Sequence, residues 1–392
     1  MRSGQVKRQS PSRPQSPKTW VRKYRHSFLL TIDHPQGGEV HVLIDAGQPE
    51  KSGEVLGFLK NYAPGGLDLV IATHIDKDHI GGLKTVVQDF SVREFVINVP
   101  PAFEKTWFGL RSQLKEFRSA KGADRLAEAI DMVNDLLAEL RAHGIKISGA
   151  LQRRSWTCGD VTLAVLNPTI ERLALAWQES ELLQTIRNSQ PHLGALLGAL
   201  AEKQPTRPFR PSPIGNVLLG LGSPPPSRVN LNLAPLAGLL GQLPPAKSPA
   251  PKTSPENDSS IVLEIQYKGE PYGLMTSDCG AAVLKEVTEG KKYSFLKVPH
   301  HGSETGLDEE LIKRWRPSTG YIPVGENPHG HPSLTILELL RKYGAKTYCS
   351  TKTKDCRKDC RPGGFGTLCH RKDKPFHLGW TGVDAAKCAN NS

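Results

Sequence analysis

The sequence predicts an α/β (α+β) chain in which buried strands run into turns and helices. Three observations predict it. Residues 67–72 form a mostly apolar run, the signature of a strand buried in a core. Paired β-rich runs flank Gly-containing turns at 27–47 and again at 261–276. Leu126, Ile130, Val133, Leu136, Leu137 and Leu140 recur at helical spacing, with Gly144 as a stop.

The run at 67–72 leads into Thr73-His74-Ile75-Asp76-Lys77-Asp78-His79-Ile80-Gly81-Gly82, and residues 83–90 read as the start of a helix. His74, Asp76, Asp78 and His79 therefore fall on a strand-to-helix turn. Such a turn can aim closely spaced side chains into one cavity, which a regular helix or strand cannot do. Imidazole with carboxylate suits zinc, manganese or iron. The two ligand pairs, His74/Asp76 and Asp78/His79, suggest two metals a few ångströms apart. The alternative is a polar loop capping a helix. The strand before, the double glycine after and the matching elements downstream favour the metal reading.

The chain has 392 residues, enough for one large or two ordinary domains. Its net charge of +12 sits at the ends. Residues 1–26 hold eight Lys/Arg and no acid, and residues 341–392 hold twelve Lys/Arg and four Asp, net +8. Since 12 − 8 − 8 = −4, the body is slightly acidic. Basic ends suit a polyanion such as nucleic acid, or they are solvated arms. No apolar segment reaches the length of a transmembrane helix. No signal-peptide core precedes Trp20, and seven Cys is an odd count, so a cytoplasmic setting is expected. Oligomeric state is not legible.

In order, residues 1–25 read as a disordered basic arm. Two strands follow around a Gly37-Gly38 turn, and Asp45-Ala46-Gly47 closes the second. Residues 51–61 look helical. A strand at 92–100 and a helix over 105–143 follow, then short strands to Pro168. Residues 169–256 read as an insertion, helical to about 202 and Pro-rich beyond, serving as a lid or a linker. A hairpin then ends in Ser277-Asp278. A strand at 295–298 runs into Pro299-His300-His301-Gly302-Ser303. Adjacent His residues on extended chain point oppositely, so one of the pair is a ligand. His301 is favoured over His300 because it borders the glycine turn. Gly302-Ser303 would offer N–H groups and a hydroxyl to a phosphate oxygen. His331 stands in a Gly-His-Pro loop. The basic tail over 351–392 is Cys-rich and admits a small structural zinc knot, a disulfide or free thiols.

The pattern HxDxDH followed by Ile80-Gly81-Gly82 resembles the metallo-β-lactamase superfamily. It looks most like the C-terminal hydrolase domain of ComEC-type DNA-uptake proteins and their free-standing relatives. The resemblance spans residues 26–350 apart from the insertion. It implies an αββα sandwich, two mixed sheets face to face with helices outside and metals at one edge. It also implies two divalent cations, zinc or manganese. Metal ligands would come from His74, Asp76, Asp78, His79, Asp278 as the bridging carboxylate, and His301 or His300. Asp45 would support the metal loop without being a ligand. His331 would bind substrate or transfer a proton beside Asp78, and Ser303 would bind substrate. Relatives begin with a further strand and a Gly-Asp pair, where this chain has Arg25-His26, so an altered N-terminal edge is expected. The superfamily's extra His for the first metal has only His143 and His192 as candidates, which leaves that site oxygen-rich and leaning to manganese. The implied activity is metal-dependent hydrolysis, as a phosphodiesterase or nuclease using a metal-bridging hydroxide. The alternatives are a small-molecule lactone, amide or phosphoester hydrolase, or a metal-stabilised binding module.

Overall fold

The structure, a computed structural model, describes residues 19–24, 26–98, 123–179, 207–208, 253–324, 330–350 and 376–377. In chain order the first half runs through β1 (Thr19–Tyr24), β2 (Ser27–Asp33), β3 (Glu39–Ile44), α1 (Ser52–Tyr62), β4 (Leu67–Ile71), α2 (Lys77–Ile80), α3 (Leu83–Asp89), β5 (Val92–Val96), α4 (Ala123–Ala142) and β6 (Lys146–Ser148). Then come β7 (Ser155–Cys158), β8 (Val161–Asn167), α5 (Ile170–Glu179), β9 (Arg207–Pro208), α6 (Pro255–Asp258), β10 (Val262–Tyr267), β11 (Glu270–Met275) and α7 (Ala281–Val287). The chain ends with β12 (Phe295–Lys297), α8 (Glu309–Trp315), β13 (Thr319–Ile322), α9 (Leu334–Lys342), β14 (Lys346–Cys349) and β15 (Phe376–His377).

The strands form two sheets, ordered β15-β1-β2-β3-β4-β5-β6 and β14-β13-β12-β11-β10-β8-β7-β9. In the first, β3, β4, β5 and β6 are parallel. In the second, β11, β12, β13 and β14 are parallel. Side chains alternate along each strand, so parity decides where each one packs. Phe28, Leu30 and Ile32 of β2 meet Leu163, Val165, Leu263 and Phe295 of the other sheet in one buried cluster. The opposite parity, Leu29 and Leu43, packs under helices with Leu59, Val86 and Leu137. The far face of the second sheet is covered by Leu284, Leu311, Trp315 and Leu340. Helix, sheet, sheet, helix is the layering that follows when both faces of both sheets are buried. This is the αββα sandwich.

One expectation needs correcting. The basic arm does not extend to residue 25, because β1 pairs antiparallel with Ser27–Ile32 of β2. A further strand before β2 is therefore present. Cys349, just ahead of the Cys-rich tail, is buried in the core at the end of β14. The helix expected over 105–143 is described from Ala123, and residues 99–122 lie outside the described residues.

The insertion leaves from β8 and returns at β10, and those strands are direct antiparallel neighbours through Val262↔Asn167. Asn167 Nδ2 donates to the carbonyls of Ser260 (2.7 Å) and Asp258 (3.0 Å), closing the neck. An insertion whose ends are already adjacent adds length without disturbing the sheet. Its expected lid or linker role falls mostly on residues outside those described, as do the tail zinc site and the basic arm before residue 19.

The double glycine after the metal loop is explained by close approach. Gly82 has a φ of −84°, open to any residue. A Cβ there would lie 2.5 Å from the carbonyl oxygen of Ala46. The backbones are held together by Gly82 N–H to Gly47 O and Ala46 N–H to His79 O, both 2.9 Å. Gly82→Ala should cost about 1–3 kcal/mol by overpacking. Urea unfolding of the variant checks this, and an unchanged midpoint would remove the reason offered for the glycine.

Candidate metal centre

Both sets of parallel strands deliver their carboxyl ends to one edge. Asp45 follows β3, Thr73 and His74 follow β4, and Ser277-Asp278 follow β11. His300-His301 follow β12 within a short turn, and Pro323 follows β13. The halves are tied across this edge by Ser277 Oγ donating to Thr73 Oγ1 (2.7 Å) and Ile261 N–H donating to Thr73 O (2.9 Å). Seven non-glycine residues have positive φ among the described residues. Four of them stand here: Asp45, Ser277, His300 and His301. Such backbone is costly and persists only where surrounding contacts enforce it.

Asp45 is the centre of those contacts. Its Oδ1 accepts from Thr73 N–H, and its Oδ2 accepts from Thr73 Oγ1, each at 2.8 Å. Oδ2 also accepts from His79 Nδ1 at 2.7 Å. The proton on Nδ1 is thereby fixed, and the Nε2 lone pair of His79 is left for a cation. Burial would raise the Asp45 carboxyl, but His79 and His74 hold it below the usual carboxylate range. His301 is set the same way, its Nδ1 donating to Pro323 O at 2.6 Å. His74 Nδ1 faces the hydroxyls of Thr73 (3.1 Å) and Ser277 (3.3 Å).

The opposite nitrogens converge. Nε2 of His74 and of His79 are buried and make no hydrogen bond. Orphaned polar atoms of this kind are rare and costly in a core, and a cation is the partner that satisfies them. His79 Nε2 lies 3.3 Å from Asp278 Oδ2 and 3.9 Å from Asp78 Oδ2. His301 Nε2 lies 2.9 Å from Asp278 Oδ2 and 3.2 Å from Asp78 Oδ2. Two groups of donor atoms each fall within 4.8 Å: His26, Asp78, His79 and His301, and then His74, His79 and Asp278. A tetrahedral cation with ligands at ~2.1 Å needs donors about 3.4 Å apart, so these spacings fit one. Without a cation, the carboxylates and imidazoles compensate one another. Burial would lower the His301 imidazole, but Asp278 and Asp78 lift it to about 9. Asp278 is held well below the usual range against its burial by His301, His79 and Lys297.

The expected residues are not all brought together. His74, Asp78, His79, Asp278 and His301 converge. Asp76 stands farther out, its Oδ2 3.6 Å from His74 Nε2 and its side chain 48% exposed. His300 is turned from both groups, with Nδ1 at 3.2 Å from Thr305 Oγ1 and its ring on that of His331 at 5.8 Å. The reason expected for choosing between the pair was wrong. His300 and His301 have φ of 45° and 55°, so the chain there is a left-handed turn, not extended. Ser303, expected as a substrate contact, lies in the turn that follows His301. It is buried, its N–H donates to His300 O (2.8 Å) and its Oγ sits 2.9 Å from Thr305 Oγ1, so both groups close the turn. Asp278 presents one oxygen to the imidazoles, because Oδ1 faces Lys297 Nζ at 3.3 Å. His143 is exposed at the end of α4, and His192 lies outside the described residues.

Two residues went unread. Lys297 is buried beneath Asp278 and donates to Ser277 O at 2.6 Å. It looked like one more strand residue. His26 joins the Asp78 group, although in sequence it only preceded a strand. Its signal was topological. β2 runs antiparallel to β3 with Phe28↔Ile44 paired, so the start of β2 lies beside the end of β3, where Asp45 stands.

His74→Ala and Asp278→Ala should each empty at least one metal position. Elemental analysis checks this, and full metal content in both would defeat the assignment. Asp45→Asn should weaken metal binding about 10–100-fold, read by chelator competition. In metal-stripped protein, His301 is raised from 6.5 to about 9 in the folded state. The stability it contributes is fully present below about pH 6.5 and lost as pH rises toward about 9. The urea midpoint of the stripped protein should therefore fall across that window, and zinc should flatten the fall.

The family model described as the metallo-β-lactamase superfamily matches residues 23–141. ComE operon protein 3 of Bacillus subtilis (strain 168) is 33% identical over 101 residues, which is 25% of this chain and 13% of that protein. Among solved structures, a metallo hydrolase from the archaeon Ignicoccus hospitalis is similar at 12% identity. That match covers 84% of this chain and 91% of that one, with a TM-score of 0.37. A metallo-β-lactamase from Cronobacter sakazakii is similar at 15% identity over 37% and 49% of the two chains, with a TM-score of 0.22. Residues 23–141 thus match the metallo-β-lactamase superfamily, and the chain has the metallo-β-lactamase fold, an αββα sandwich with a His/Asp cluster at the edge the two sheets share.

Proposed function

We propose that the chain is a metal-dependent phosphodiesterase whose substrate class is nucleic acid. The observation that carries the hydrolase reading is the pair of overlapping donor groups, whose imidazoles are oriented by Asp45 and the Pro323 carbonyl. Two divalent cations held there would lower the pKa of a water and neutralise charge developing on an attacked phosphoryl group.

The chain's own residues supply the rest. Asp78 combines contact with three imidazoles and a side chain 31% exposed, so one face is open to water and substrate. It orients the attacking water and accepts its proton. Lys297 holds Oδ1 of Asp278 and so keeps Oδ2 aimed between the two donor groups. His331, half-buried on the ring of His300, stands at the rim to meet the leaving oxygen. No Ser or Cys nucleophile is required. Cys279 is buried, and its thiol is pushed well above its ordinary value by that burial.

Support for nucleic acid comes from the resemblance of the metal-loop motif to ComEC-type DNA-uptake proteins and from the basic ends. A second reading, a small phosphoester, lactone or amide as substrate, is favoured by the net acidic body. Hydrolysis of single- and double-stranded DNA, RNA and bis(p-nitrophenyl) phosphate should be measured on metal-stripped protein given zinc or manganese. Asp78→Ala should lose the activity with its fold intact. Cleavage of nucleic acid is expected. Turnover of the small ester alone would move the substrate to the second reading, and silence on every ester would overturn the phosphodiesterase.

A further inference from the structure

His26 stands in the site without a role in the reading above. It is buried just before β2, and a Cβ built on Gly47 would approach its Cβ to 3.8 Å. Its ring lies 4.8 Å from that of His301 and 6.0 Å from that of His79, centroid to centroid. Its Nδ1 is buried and makes no hydrogen bond. Asp78 Oδ2 is 3.3 Å from that nitrogen, but without hydrogen-bond alignment. A packing histidine would satisfy this nitrogen with a carbonyl or hydroxyl, as His301 does with Pro323.

The spacing around Asp78 is informative. His26 Nδ1, His301 Nε2 and His79 Nε2 lie 3.3, 3.2 and 3.9 Å from the one oxygen Oδ2. Donors around a tetrahedral cation at ~2.1 Å stand about 3.4 Å apart, so His26 and His301 stand at that figure from Oδ2 and His79 a little beyond it. No two of these four residues other than Asp78 and His79 are neighbours in sequence. The convergence is therefore made by the fold.

We propose that His26 is a ligand of the cation held at Asp78, His79 and His301, giving that position three imidazole nitrogens and one carboxylate oxygen. This rests on the two-cation reading of the site. A nitrogen-rich position selects a zinc-class cation over manganese, the reverse of what an oxygen-rich set would favour. His26 is then the residue that decides metal preference at this position.

The test uses the full chain, stripped and then loaded with zinc or cobalt(II). Wild type should bind two cations per chain by elemental analysis. His26→Ala should weaken one of the two by at least about tenfold in chelator competition, since even residues behind a ligand cost that much. The visible absorption of bound cobalt(II) should change, because one nitrogen leaves the shell. His26→Gln keeps much of the ring's volume without a donor at the Nδ1 position, and should behave like His26→Ala if the alanine variant folds poorly. His26→Asp restores a donor as oxygen and should move relative affinity from zinc toward manganese. Two tightly bound cations and an unchanged cobalt spectrum in folded His26→Ala and His26→Gln would overturn the proposal and leave the two-cation reading standing. Fewer than two cations in wild type would overturn that reading, and this proposal with it.

Discussion

The carboxylate of Asp45 is the constraint on which the site depends. One buried side chain grips the backbone N–H of Thr73, the hydroxyl of Thr73 and the ring of His79. It thereby fixes where the loop leaves β4 and which nitrogen of His79 faces inward. A carboxylate is suited to this because it has several acceptor positions and no donor of its own. The cost of burying its charge is offset by three hydrogen bonds and the facing imidazole.

From that anchor the second half of the chain is recruited. Thr73 takes the hydroxyl of Ser277 and the N–H of Ile261, so the strand ends of both sheets are held level. Asp278 follows Ser277 into the site, steadied from below by Lys297. His301 reaches the same place through a left-handed turn closed by Ser303 and Thr305. The positive φ values at Asp45, Ser277, His300 and His301 show where the backbone is bent to bring ligand atoms together. Glycine at position 82 lets the Asp45 and His79 loops touch.

Much of this was legible in the chain itself. His74, Asp78 and His79 lie close together on a turn, and a cluster that dense has few other uses. Buried strands and amphipathic helices followed from apolar runs and helical spacing, whereas the sandwich itself was implied only by the resemblance of the metal loop to a known family. Asp278 became legible only by likeness, since a lone acid at a strand end is common. Where each of these side chains stands was less legible. Asp76 sits as close in sequence as Asp78, yet the α2 turn leaves it at the rim. Ser303 has the right chemistry but spends it on its own turn. The choice between His300 and His301 assumed extended chain, where the backbone is a left-handed turn.

By itself, then, the sequence determined the run of strands and helices, the metal loop and the kind of donor atoms, because these rest on periodicity and on residues near one another along the chain. Tertiary structure alone decided the membership of the site. Antiparallel pairing of β2 with β3 brings His26 beside Asp45, and parallel pairing in the second sheet sets Lys297 under Asp278. Neither residue belongs to the local metal-loop pattern, and both are placed by strand register. Register is a property of paired strands, which a single stretch of sequence does not contain.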